Sequence, residues 1–314
     1  MIQATGGTES QQVGASAPGT VRASGDGWRE TWLGPVRRRR WQAYGVGPSL
    51  DDALQASHRL ASYGIASTVG YSPPAGEGAR HTADVHLAAF DALASGELDG
   101  YVSVKLSTLD FDPGLLTELD AAAARSGRRL HLDALAPETV DPTWRLLEEA
   151  PRAGQLGMSF PGRWRRSADD AQRAAELGLV VRVVKGQWKH GADGDVDPAE
   201  GFLGVIDRLC GRARAVAVGT HDAGLLTEAV GRLRAAGTPC EVELLYGLPF
   251  RAPALAARQM DVPIRVYVPY GHIAATYGVA DIRRTPAALW WLAQDLLLGK
   301  DKTWWSIRRS HIRP

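Results

Sequence analysis

The stretch AVAVGTHDAGLLTEAVGRLRAAGTPCEVELL, residues 215–245, carries the pattern on which the fold turns. AVAVG (215–219) is an unbroken apolar run, which suits a strand covered on both faces. DAGLLTEAVGRLRAAG (222–237) follows as an amphipathic helix that ends on Gly237, a natural helix stop. EVELL (241–245) then reads as a second strand. A strand, a crossover helix and another strand make a parallel pair.

Outward from this stretch the alternation repeats. The strand candidates are IASTV (65–69), YVSVKL (101–106), RLHLD (129–133), QLGMSF (155–160), LVVRVV (179–184), AVAVG (215–219), EVELL (241–245) and IRVYV (264–268). Helical runs such as TADVHLAAFDALASG (82–96) lie between most of them. Ser49 followed by Asp52 resembles a capping box before DDALQASHRLASYG (51–64). Eight units in roughly 250 residues predict an α/β fold, a closed (β/α)8 TIM-type barrel. An open doubly wound sheet is the other arrangement that the alternation permits.

Bulk composition narrows the class. The chain has 314 residues, 45% hydrophobic and 23% charged, with a formal net charge of +1. That is enough for one large core, and it lacks the basic excess of a nucleic-acid binder. Cys210 and Cys240 form neither a CxxC nor a zinc-like cluster, so no metal site is expected. Without a signal-like start or an apolar run of roughly 18 residues, a cytoplasmic location is expected, at most peripheral to a membrane. Residues 1–43 read as a disordered or irregular segment, because the first part is rich in Gly, Ser, Thr, Ala and Gln. The run Arg37 to Arg40, before Trp41, reads as a solvated basic linker or a site for an anionic partner. Residues 44–314 are assigned to the barrel.

In such a barrel, chemistry sits at the C-terminal ends of the strands. The polar residues there are Lys105 and Ser107, Asp133, Ser159, Lys185 with Gln187 and Trp188, Thr220 with His221 and Asp222, Glu243, Tyr267 and Tyr270. A lysine in a barrel mouth is costly unless paired or functional, and Asp133 is its obvious partner. A structural ion pair would look the same. Arg182 lies within its strand, and Lys185-Gly186 follow just past it. Two cations so close suit a phosphate or the electron-rich end of a flavin; ordinary strand-end polarity is the bland reading. Gly186 permits close backbone approach. Thr220 can cap the next helix, whose N-terminus is an anion site. A lone His221 is more often a packing residue than a catalyst.

Taken in order, YVSVKLSTL, RLHLDA, VVRVVKGQW, VGTHDAG, CEVELLYGL and RVYVPYG resemble the successive strand motifs of the proline dehydrogenase family. Those run approximately as SIKLSAL, a strand ending in Asp, RLVKGAYW, ATHN, the strand before HGM, and RIYAPVG. YGVGPSLDDALQASHRLASYGIASTV (44–69) is similar to the family's lead-in helix and first strand. The resemblance covers residues 44 to about 271. It implies an FAD-containing barrel that removes a hydride from the carbon beside a secondary amine. It implies a small amine or amino-acid substrate, which could be carrier-bound, and an electron acceptor such as a quinone. By position, Lys105 and Asp133 match the polar pair beside the substrate, and Arg182 the arginine near the flavin N5 edge. Lys185 and Gly186, with Gln187, match the flavin-binding KG segment, and Trp188 stands where a tyrosine is usual. Thr220 and His221 match the pair that holds the FAD phosphates. Glu243 lies on the strand facing the flavin, and Tyr267 matches a tyrosine of the substrate pocket.

The chain departs from that pattern near its end. The family's last helix carries an arginine pair that clamps the proline carboxylate, in a pattern like YLVRRLLEN. Here HIAATYGVADIRRTPAALWWLAQDLLLG (272–299) offers two readings. Arg283 and Arg284 form the clamp, or Trp290 and Trp291 stand in its place. Guanidinium forks favour a free carboxylate, whereas tryptophans favour a substrate whose carboxylate is masked or missing. Gly70 stands where the family tends to have Asp. Two other functions fit the same fold: a non-catalytic ligand-binding barrel, and a folate-type flavin reductase.

Overall fold

The computed structural model describes residues 45–133, 136–149, 154–186, 194–248 and 250–272. The segment 1–43 and the stretch in which a last helix was expected, with Arg283, Arg284, Trp290 and Trp291, lie outside them, as do Gln187 and Trp188.

Eight parallel strands close into a barrel: β1 (Ala66–Ser72), β2 (Gly100–Val104), β3 (Arg129–Leu132), β4 (Gln155–Pro161), β5 (Val180–Val184), β6 (Val216–Gly219), β7 (Cys240–Leu245) and β8 (Ile264–Gly271). β1 pairs with β2 on one side and with β8 on the other, so the open sheet is ruled out. The helices α1 (Leu50–Ala61), α2 (Ala79–Ser95), α3 (Pro113–Ser126), α4 (Val140–Glu149), α5 (Ser167–Glu176), α6 (Pro198–Leu209), α7 (Ala223–Ala235) and α8 (Arg251–Gln259) alternate with them. β2 stops at Val104, before the expected Leu106, because the chain turns into a 3-10 helix at Leu106–Leu109.

Local chemistry sets several boundaries. The predicted capping box is present: the Asp52 N–H donates to Ser49 Oγ at 3.2 Å, and the Ser49 N–H donates to Asp52 Oδ2 at 3.0 Å. α7 is capped by Asp222, whose Oδ1 accepts the N–H groups of Gly224 and Leu225. This corrects the expectation for Thr220, whose hydroxyl oxygen accepts from the Asp222 N–H instead. The carboxylate reaches two helix amides at once, which one hydroxyl two residues earlier cannot do.

The apolar core lies between barrel and helices, with Val69, Val102, Val104, Leu130, Leu132, Val181 and Val183 meeting side chains such as Phe90, Leu93 and Leu119. Alternation along the strands sends a different set inward. Such barrels are usually filled by branched apolar residues. This one carries Thr68, Tyr101, His131, Arg182, Glu243 and Arg265, all buried. At the N-terminal end, the Glu241 carboxylate accepts from Arg129 at 3.0 Å and Arg265 at 2.9 Å. Both guanidiniums lie on the Tyr101 ring, 3.9 and 4.4 Å from its centroid, beside a cavity of about 380 Å³. No helix among the described residues is long and apolar enough to cross a membrane.

Two glycines of α6 separate close packing from open space. A Cβ on Gly201 would stand 2.0 Å from the Gly162 carbonyl oxygen, whereas one on Gly204 would meet nothing within 4 Å. Gly201→Ala is expected to destabilise the barrel by about 1–3 kcal/mol. Gly204→Ala should stabilise it by about 0.5–1 kcal/mol through helix propensity. Chemical denaturation of the two variants checks the contrast in sign.

Candidate active site

The inward residues at the C-terminal half of the barrel form one hydrogen-bonded assembly around Arg182. Five hydrogen bonds leave its guanidinium: Nε to Glu243 Oε2 (2.8 Å), Nη2 to Glu243 Oε1 (2.7 Å) and Tyr101 Oη (3.3 Å), and Nη1 to Asp133 Oδ1 (3.3 Å) and Ser159 Oγ (3.2 Å). That uses every N–H an arginine has. A contact from Arg182 to a ligand therefore has to break one of these bonds. Glu243 is equally committed. Thr68 Oγ1 donates to its Oε1 at 2.8 Å and Tyr101 Oη to its Oε2 at 2.6 Å.

Electrostatics follow from this geometry. Burial alone would lift the Glu243 carboxyl, but the Arg182 guanidinium and the Tyr101 hydroxyl outweigh it and hold it below the usual value. Burial opposes the charge on Arg182 too, yet Glu243, Tyr101 and Asp133 raise its pKa well above the ordinary one. The pair is ionised and sealed, each side chain only 3–4% exposed.

Lys105 is also buried, at the end of β2. The expected ion pair with Asp133 does not form; the Asp133 oxygen Oδ1 instead accepts from Ser159 at 2.9 Å and from Arg182. The Arg182 fork spans Glu243 and Asp133 together. Burial pushes the Lys105 amine down, Asp133 pulls it partly back, and Arg182 adds to the depression.

The β5 and β6 ends lie beside this assembly. Gly186 adopts φ +90°, and a Cβ there would sit 2.6 Å from the Pro161 Cβ, so its close approach is to the β4 end. Lys185 Nζ lies 3.2 Å from Asp222 Oδ2 at the start of α7. His221 Nε2 accepts the Leu245 N–H at 2.9 Å, which fixes the neutral imidazole with its proton on Nδ1. Tyr267 is buried, with its ring centroid 5.2 Å from the Arg182 guanidinium carbon. Its hydroxyl lies over Gly70, where a Cβ would come within 2.1 Å. An aspartate cannot stand at position 70 without moving the phenol.

Sequence reading missed Thr68, Tyr101 and His131 as members of the assembly. The available signal was polar residues two apart inside strands: Tyr101, Ser103 and Lys105; His131 and Asp133; Glu241 and Glu243.

No family model matches the chain. It is 25% identical over 260 residues to proline dehydrogenase 1 of Bacillus subtilis (strain 168), covering 77% of this chain and 85% of that protein. With the proline dehydrogenase of Deinococcus radiodurans it shares 25% identity over 291 residues, 84% of this chain and 93% of that protein. The chain is similar to the proline dehydrogenases. Among solved structures, proline utilization A (PutA) from Bdellovibrio bacteriovorus, inactivated by N-propargylglycine, superposes with a TM-score of 0.67 at 16% identity. It covers 91% of this chain and 35% of that one. PutA from Corynebacterium freiburgense gives 0.64 at 20% identity, covering 90% and 33%. The chain thus spans about a third of each PutA, and these likenesses speak for the barrel fold.

Two predictions come from the buried charges. Arg182→Ala leaves Glu243 buried and unpaired, so it should cost about 3–5 kcal/mol of stability; adding Glu243→Gln should recover part of the loss in denaturant titrations. The second concerns acid. Burial, with the charge of Lys105, pushes His86 down to about 3, and burial with Arg182 pushes His131 well below its usual value. The unfolded chain, with histidines near 6.5, then binds more protons than the folded one. Stability should be intact above about 6.5 and decline as pH falls toward about 3. His86→Leu should flatten that decline in melting temperatures measured across the range.

Proposed function

We propose that this barrel is an FAD-dependent oxidoreductase that removes a hydride from the carbon next to the nitrogen of proline, or of a proline-like cyclic or secondary amine, giving an imine. The observation that carries the reading is that Lys105, Asp133, Arg182, Lys185, Gly186, Thr220, His221, Glu243 and Tyr267, described positions that match the family's motifs, gather at one end of one closed barrel.

The residues present fit a flavin dinucleotide. Lys185 Nζ, the Thr220 hydroxyl and the first turn of α7 offer donors at adjacent strand ends, where phosphates are readily held. Asp222 already satisfies two amides of that turn, so Lys185 and Thr220 are assigned the larger share, with His221 beside them. Gly186 keeps the β5 end close to β4. When bound, FAD supplies the two-electron oxidant, and a quinone-type acceptor would take the electrons onward.

The chain's own groups serve the amine. A protonated amine cannot release hydride, so the ammonium must lose its proton first. Lys105 Nζ, its pKa lowered by burial, is the amine placed to exchange that proton with the substrate. Asp133, at the same mouth, balances the positive charge that develops at nitrogen. The Arg182–Glu243 pair, with Tyr101 and Ser159, keeps the floor rigid and dry. Arg182 has every N–H committed within the protein, so it is not a fork for a substrate carboxylate. A substrate whose carboxylate is masked or absent suits this assembly, unless Arg283 and Arg284 or another arginine of the mouth supplies the clamp.

Purified protein loaded with FAD should be yellow and should bleach anaerobically on adding an amine. Proline methyl ester, prolinamide or pyrrolidine is expected to bleach it more efficiently than L-proline. Bleaching by L-proline alone would reject the masked substrate. Failure to take up FAD would reject the enzyme in favour of a ligand-binding barrel, and bleaching by a reduced nicotinamide but no amine would point to a flavin reductase.

A further inference from the structure

β3 and β4 bring three side chains together that no motif had joined. Their register pairs His131 with Gly157 and Leu132 with Met158, so Ser159 falls beside Asp133. Ser159 Oγ lies 2.9 Å from Asp133 Oδ1, 3.0 Å from His131 Nε2 and 3.2 Å from Arg182 Nη1. Ser159 and His131 are both at most 1% exposed.

The proton positions can be worked out. Ser159 has one hydroxyl proton, and an ionised Asp133 has none, so that proton goes to Oδ1. Arg182 can only donate. For the third contact to be a hydrogen bond, His131 Nε2 must carry the imidazole proton and donate to Ser159 Oγ. Nδ1 is then a bare lone pair, and it has no partner. The ring sits across β4, where a Cβ on Gly157 would fall 2.3 Å from Nδ1. Only a glycine opposite leaves room for it.

One effect is an unequal carboxylate. Asp133 Oδ1 receives Ser159 and Arg182, while no donor among the described residues is directed at Oδ2. The Asp133 side chain is 17% exposed, unlike the sealed Glu243. One oxygen is anchored in the barrel, and the other is left to the mouth.

We propose that Ser159 and His131 are positioning residues that clamp Asp133 through Oδ1, so that Oδ2 meets the N–H of a cationic amine. This rests on the oxidoreductase reading, in which an ammonium enters and an iminium forms at the same nitrogen. His131 acts through Ser159, and Ser159 through Asp133; neither touches the substrate.

The test uses Ser159→Ala, Ser159→Thr, His131→Leu and His131→Gln in the full chain. Ser159→Thr keeps the hydroxyl, and His131→Gln keeps an N–H at the position of Nε2. In FAD-loaded protein, Ser159→Ala and His131→Leu are expected to lower kcat/KM for the amine at least tenfold, with flavin occupancy unchanged. The threonine and glutamine variants should retain most of it. Calorimetric titration with pyrrolidinium reads the same alignment without any redox step, and Ser159→Ala should weaken that binding at least fivefold. Lower melting temperatures with unaltered kcat/KM and pyrrolidinium affinity would reduce the cluster to packing and overturn the proposal. So would a wild-type protein that does not bind pyrrolidinium. If no amine bleaches the flavin, the oxidoreductase reading fails, and the calorimetry still decides whether Ser159 aligns Asp133.

Discussion

The structure depends on a buried guanidinium–carboxylate pair placed where a barrel of this kind normally holds branched hydrocarbon. Arg182 on β5 and Glu243 on β7 satisfy each other bidentately, and their remaining positions reach Tyr101 on β2, Asp133 at the end of β3, Ser159 on β4 and Thr68 on β1. Burying such charges costs several kcal/mol per ion unless geometry and further hydrogen bonds offset it. Here the offset is complete around both ions, and this completeness gives the interior a single arrangement. Strand register, inward alternation and the rotamer of each member have to agree for the pair to be tolerated at all.

This constraint changes what each mouth residue can do. Arg182 carries a cation that faces protein on every donor. Its influence on a ligand is therefore exerted through the field it creates and through Asp133 and Ser159. Lys105 is buried near the same charges without a direct ion pair, which pushes its amine toward neutrality. The groups left for chemistry are those at the edge of the assembly, where its hydrogen bonds run out.

Much of the barrel was legible because apolar runs, helix faces and glycine stops all pointed the same way. The helix between β6 and β7 reads directly from Leu225, Leu226, Ala229, Val230 and Leu233, all buried. Lys105, Asp133 and Glu243 stood out because strand ends are exceptional places for charge. The assembly itself was not legible. Thr68, Tyr101 and His131 sit in mid-strand, where β-propensity alone explains them, and which polar group meets which is settled by barrel closure across residues more than a hundred positions apart, such as Tyr101 and Glu243. The Lys105–Asp133 pairing was inferred from neighbouring strand ends, whereas the ion pair that Asp133 makes is with an arginine from two strands away. Thr220 was favoured as a cap by its position, while Asp222, two residues on, had the better reach.

The phenol of Tyr267 laid over Gly70 ties two positions on neighbouring strands to one another. The first atom of any side chain at position 70 would stand 2.1 Å from the tyrosine hydroxyl oxygen, so the glycine can be replaced only if the phenol swings away or is shortened. Substitutions at the two positions are therefore expected to be non-additive: a side chain that is costly at position 70 beside Tyr267 becomes tolerable when residue 267 is small. The wall of the mouth at this point is set by the pair and not by either residue alone.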